Sequence, residues 1–133
     1  MTVANHGQKT VLVIEDDPWT RTITTALLAG EGFAVVEAKN GEEGLQQARA
    51  HTPHAILLDL ALPTKSGLDV LRVLKADAPT REIPVIVVSA YGSLMNESDV
   101  SHTVGVIQKP FDYDDLVGQV ERATARSLEV ALT

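Results

Sequence analysis

Short apolar runs with no polar alternation, each followed by a stretch of helical periodicity, leave this chain few ways to fold. Val11 to Ile14, Ala55 to Leu58 and Val85 to Val88 carry apolar residues on both parities. Strands of that kind are covered on both faces, as in a parallel sheet. Phe33 to Ala38 and Val104 to Ile107 read as two further strands. Between them, Pro18 suits the first turn of a helix that turns Ile23, Leu27 and Leu28 inward and is stopped by Gly30 and Gly32. Asn40 can cap a helix through Glu42 to Ala50, with Leu45 and Ala48 inward and Pro53 closing it. Leu68, Leu71 and Leu74 mark a third helix, ending before Pro79 and Pro84, and Asp112 caps a last one that buries Leu116, Val117 and Val120. The segment Tyr91 to His102 offers only Leu94, Met95 and Val100 for burial, so its helix is expected to be short or frayed. Alternation of this kind gives an α/β fold, a parallel sheet with helices on both faces.

A chain of 133 residues with 44% hydrophobic content supports one core. The expected domain covers 10–126, with a flexible extension at 1–9 and a tail at 127–133. The formal net charge of −7 argues against direct binding of nucleic acid or of an anionic membrane surface. Cysteine is absent, which excludes a thiol nucleophile and fits a reducing compartment. No apolar stretch approaches the roughly 20 residues of a membrane span, and MTVANHGQKT has no signal-type apolar core, so no membrane insertion and a cytoplasmic location are expected. His6, His51, His54 and His102 lack zinc-ligand spacing and read as surface residues.

The chemistry sits at the ends of the runs. Glu15, Asp16 and Asp17 follow the first, Asp59 follows the third, and Lys109 with Pro110 follows the last. In a parallel sheet these groups emerge at one edge, where they can hold a divalent cation and a phosphoryl group. Each has a plain alternative. An acidic triplet also suits a solvated helix start, an aspartate a loop cap, a lysine an exposed surface, and Ser89 an ordinary strand end. Trp19 reads as part of a helix face, and Gly41, Gly44 and Gly67 as turn or helix-boundary residues.

Four segments, VLVIEDDP, ILLDLALPTKSG, VIVVSA and QKPF, stand in an order and spacing that resembles the receiver domains of two-component response regulators over roughly Thr10 to Thr124. The resemblance implies a flavodoxin-like, doubly wound five-stranded sheet of order 2-1-3-4-5, with ligands at the switch point beside the first and third strands. It implies that Asp59 is the phosphoacceptor, that Asp16 and Asp59 ligate Mg2+ (or Mn2+) with Glu15 further out and the Ala61 carbonyl completing the set, and that Lys109 and Ser89 contact the phosphoryl group. A cis Lys109-Pro110 bond also belongs to that pattern. The implied partners are a histidine kinase or phosphotransfer protein and a downstream protein or output domain; a homodimer is compatible with the family. Such a domain promotes its own phosphorylation and dephosphorylation without being a turnover enzyme. Val106 departs from the pattern, which has an aromatic residue three positions before the lysine. Ala61 and Tyr91 are expected to flank the phosphoryl position, where Tyr91 either covers the approach of water and slows hydrolysis or stands as an exposed loop tyrosine.

Two other classes compete. A metal-dependent phosphohydrolase usually carries a second aspartate two residues after its nucleophile, where this chain has Ala61. A phosphorylation-independent interaction module would keep the fold and lose the chemistry, yet Glu15, Asp16, Asp59, Ser89 and Lys109 are all present.

Overall fold

The computed structural model describes residues 9–90 and 95–132, with side chains of the last helix described to residue 125. Five strands and five helices alternate: β1 (Thr10–Ile14), α1 (Pro18–Gly30), β2 (Ala34–Ala38), α2 (Gly41–His51), β3 (Ala55–Leu58), α3 (Gly67–Ala76), β4 (Val85–Ser89), α4 (Glu97–Ser101), β5 (Gly105–Gln108) and α5 (Tyr113–Leu132). The strands form one parallel sheet in the order β2-β1-β3-β4-β5. The expected architecture is therefore observed.

Strand parity divides the core into two layers. Val11, Val13, Ala55, Leu57, Ile86, Val88 and Ile107 pack with Leu28 of α1 and Leu116 and Val120 of α5. Leu12, Ile14, Ile56, Leu58 and Val85, of the opposite parity, pack with Leu45 and Ala48 of α2 and with Val70, Leu71 and Leu74 of α3. Full burial of one such leucine stabilises the fold by about 1.5–3 kcal/mol. The unalternated runs are thus the direct result of two covered faces.

Helix ends follow local chemistry. Asn40 caps α2 by accepting from the Glu43 amide at 2.8 Å, and Asp112 accepts from the Asp115 amide at 3.0 Å at the start of α5. Asp17 is exposed and caps α1, accepting from the Thr20 amide at 2.8 Å ahead of Pro18 at the first helical position.

Some inward assignments fail. Ile23 is 38% exposed, because the buried stripe of α1 runs through Thr24 and Leu28, four residues apart. Val100 is 45% exposed, since the five-residue α4 turns Asp99 inward instead. His54 is half-buried, not simply a surface residue: its Nδ1 accepts from the Thr10 amide at 3.0 Å, tying the start of β1 to the start of β3. The α5 helix continues to Leu132, past the expected end of the domain at residue 126. Tyr91 and Leu94 lie outside the described residues, as does His6.

Candidate phosphoacceptor site

Register places the carboxylates. Ile14 of β1 pairs with Leu58 of β3, so the next residues, Glu15 and Asp59, leave the sheet side by side. The Asp59 amide donates to the Ile14 carbonyl at 3.1 Å, and the Glu15 amide to the Ala38 carbonyl at 3.0 Å, extending the ladder past the strand ends. Carboxylate oxygens of Glu15, Asp16 and Asp59 all lie within 4.8 Å of one another. Glu15 and Asp59 are both only 5% exposed, whereas Asp16 faces solvent.

Lys109 closes the cluster from the far side of the sheet. Its Nζ donates to Glu15 Oε1 at 2.6 Å and to Asp59 Oδ2 at 2.9 Å. Its amide donates to the Ser89 carbonyl at 3.2 Å, and the following Lys109-Pro110 bond is cis. Ser89 ends β4 fully buried, paired with Gln108 just before the lysine. The other oxygen of Asp59, Oδ1, accepts from the Ala61 amide at 3.0 Å. Both oxygens of the candidate nucleophile are therefore held by protein donors.

One ammonium between two carboxylates leaves the pocket short of positive charge. Burial pushes the Glu15 carboxyl up to about 7, its bonds to Lys109 and to the Asp17 amide offset only part of this, and the Asp59 charge adds to the rise. Burial works against the Lys109 charge too, but its hydrogen bonds to Glu15 and Asp59 outweigh that and raise its pKa. A group of hard oxygen donors that is under-neutralised in this way fits a small divalent cation.

Gly67 was expected to be only a helix-boundary residue, and the site shows a stronger requirement. A Cβ at this position would lie 2.2 Å from the Asp59 carbonyl oxygen and 2.5 Å from Leu60 Cα. The Gly67 amide donates to the Leu60 carbonyl at 2.9 Å, so α3 starts against the backbone that carries Asp59. The glycine of DLALPTKSG is there for close approach. Arg21 also takes part unexpectedly, its guanidinium bonding the backbone carbonyls of Glu15 and Asp16. A cation four residues into a helix, opposed to the helix dipole and with no acid in the first turn, was the available signal.

Comparison with known proteins decides the family. Residues 11–121 match the response regulator receiver domain. The chain belongs to that family. It is similar to the polar-differentiation response regulator DivK of Brucella anthropi, with 37% identity over 92 residues, 69% of this chain and 75% of that protein. In structure it resembles a sensor protein from Polaromonas sp. JS666, with 28% identity, a TM-score of 0.84, and coverage of 90% of this chain and 98% of that one. It also resembles the response regulator protein TrrA of Thermotoga maritima in complex with Mg2+-BeF, with 26% identity, a TM-score of 0.78, and coverage of 86% and 98%. The receiver domain thus carries its acidic cluster at the strand ends where the topology switches, and among its described residues no helix is long and apolar enough to cross a membrane.

Proposed function

We propose that this receiver domain accepts a phosphoryl group on Asp59 from a histidine kinase or phosphotransfer protein, and that Asp16, Asp59, the Ala61 carbonyl and, further out, Glu15 hold a Mg2+ ion beside it. The observation that carries this reading is the shared Lys109 ammonium, which touches both Glu15 and Asp59 and marks the point where extra negative charge can be tolerated. When bound, a divalent cation supplies neutralisation of the phosphoryl oxygens, the main demand of phosphoryl transfer.

The chain's own residues do the rest. The Ala61 amide fixes Asp59 by Oδ1. An Asp59 oxygen forms a bond to phosphorus as the phosphorus–nitrogen bond of a phosphohistidine breaks, and the electron pair returns to the imidazole. Lys109 moves its hydrogen bond from the carboxylate to a phosphoryl oxygen, and the Ser89 hydroxyl turns to another. Self-dephosphorylation reverses the attack: water adds to phosphorus and Asp59 leaves as a carboxylate. The Ala61 methyl has no polar atom to hydrogen-bond that water, so the loss is slow. An apolar hollow of about 420 Å³ lined by Thr20, Ile23, Pro110 and Phe111 opens beside Lys109, giving a protein phosphodonor a surface to seat on within reach of Asp59.

Acetyl phosphate with Mg2+ tests the assignment by intact mass. The parent protein should gain one phosphoryl group, and Asp59→Asn should gain none. Equal mass gain in Asp59→Asn would overturn the site.

A further inference from the structure

We infer that Arg21 is a positioning residue for the cation site, acting through the backbone of the loop that carries Glu15 and Asp16; this rests on the reading of that site given above. Arg21 lies in the second turn of α1, with its side chain 20% exposed. One terminal nitrogen, Nη1, donates to the Glu15 carbonyl at 2.7 Å and lies 3.3 Å from the Asp16 carbonyl, and Nε pairs with Glu37 Oε1 of β2 at 3.3 Å. The guanidinium therefore holds the backbone carbonyls of the residues that carry the carboxylates, not the Glu15 and Asp16 carboxylates themselves. Glu37 holds it there from the neighbouring strand.

The need for such a grip is set by Asp16. Glu15 is fixed by Lys109 and by the Asp17 amide, which donates to its Oε2 at 3.1 Å, and Asp59 is fixed by Lys109 and the Ala61 amide. The exposed Asp16 carboxylate has no hydrogen-bond partner among the described residues. What aims it at the other two carboxylates is the direction of its own backbone. Two carbonyls turned toward one guanidinium set that direction before any ion arrives, so the cation does not have to order the loop. A planar fork on a rigid geometry can hold two carbonyls and a carboxylate together, and a lysine ammonium cannot reproduce it.

Charge alone predicts the opposite result. A positive side chain close to a cation site repels the cation, so a purely electrostatic Arg21 would weaken Mg2+ binding, and its removal would strengthen it. Positioning predicts loss. Groups that orient ligands from behind typically change metal affinity by about 10-fold to 100-fold when removed.

The test is Mg2+ titration by calorimetry on the full chain, with the thermal midpoint measured in metal-free buffer. Arg21→Ala and Arg21→Lys should each weaken Mg2+ by roughly tenfold, with saturating Mg2+ restoring acetyl phosphate labelling of Asp59. Tighter binding in Arg21→Ala with unchanged binding in Arg21→Lys would show a charge effect and overturn the proposal. Unchanged Mg2+ affinity in both, with only a lower midpoint, would show a structural role and overturn it as well. If Arg21→Ala does not fold, Arg21→Lys decides alone. A parent protein that binds no Mg2+ would instead remove the cation-site reading, and this inference with it, whereas failure of the variants to differ from a Mg2+-binding parent removes only the role of Arg21.

Discussion

Two buried carboxylates, Glu15 at 5% exposure and Asp99 at 4%, meet opposite fates in the same domain. Glu15 shares one ammonium with Asp59, and burial pushes its pKa up to about 7. Asp99 has a guanidinium to itself. Arg72 of α3 donates from Nε to Asp99 Oδ1 at 3.2 Å and from Nη2 to Oδ2 at 3.1 Å, and these bonds hold the carboxyl below the usual range. Asp99 is also closed into a reciprocal cap, its amide donating to Asn96 Oδ1 at 2.8 Å and the Asn96 amide to Asp99 Oδ2 at 3.3 Å. The first carboxylate belongs to a site that still needs positive charge, and the second to a completed contact that pins a five-residue helix to its neighbour. Apolar packing there is limited: Met95 ahead of α4 is buried against Leu60 and Val87, but Val100, Val104 and Val106 around α4 and β5 are exposed, whereas every residue of β3 is buried. Order at the acidic cluster comes from the strands beneath it, and order at α4 comes mainly from polar contacts.

The contrast is broken most directly by removing the charge of Glu15. In metal-free buffer at neutral pH, Glu15→Gln should stabilise the fold by about 1–3 kcal/mol, because an under-compensated buried ion is replaced by a neutral group of the same shape. Urea denaturation checks this, and a loss of stability would mean that Lys109 fully compensates Glu15.

Next in size is the cap of α4. Asn96→Ala should cost about 1 kcal/mol. The loss should be local, read as roughly fivefold faster amide exchange in residues 97–101 with β1 and β3 unchanged. Uniform acceleration across the sheet would show that α4 is coupled to the core more strongly than its exposed valines suggest.

The smallest effect is a pH dependence at Asp99. Its folded pKa is depressed below the ordinary value of 3.8, so the stability it contributes is present above about that pH and is lost as pH falls through the lower folded value. The difference in urea midpoint between the parent and Arg72→Ala should therefore be constant from pH 7 to about pH 5 and shrink below the unfolded value. A difference that grows on acidification would exclude the ion pair as its source.

Much of this was legible along the chain because it depends on near neighbours. Asn40 and Asp112 cap helices through amides three residues on, and the unalternated runs report two covered faces whatever their order in the sheet. The motif DLALPTKSG marked Asp59, and QKPF marked Lys109. Inward assignments on α1 and α4 were less secure, since a helix of given periodicity can be rotated by a single contact. Arg72 rotates α4 to bury Asp99 and expose Val100, and α1 turns Thr24 inward in place of Ile23.

The sequence by itself determined the alternation of elements, the caps and which residues carry charge at strand ends, because each is settled by chemistry within a few residues. Only the tertiary structure decided that Ile14 pairs with Leu58, so that Glu15 stands beside Asp59, and that Lys109 reaches both across separations of 94 and 50 residues. It likewise decided that Arg21 grips the loop from behind while Glu37 of the next strand steadies it. Those outcomes depend on strand order and register, and with them on which buried charges share a partner, a balance set by distance and desolvation in the folded chain rather than by position along it.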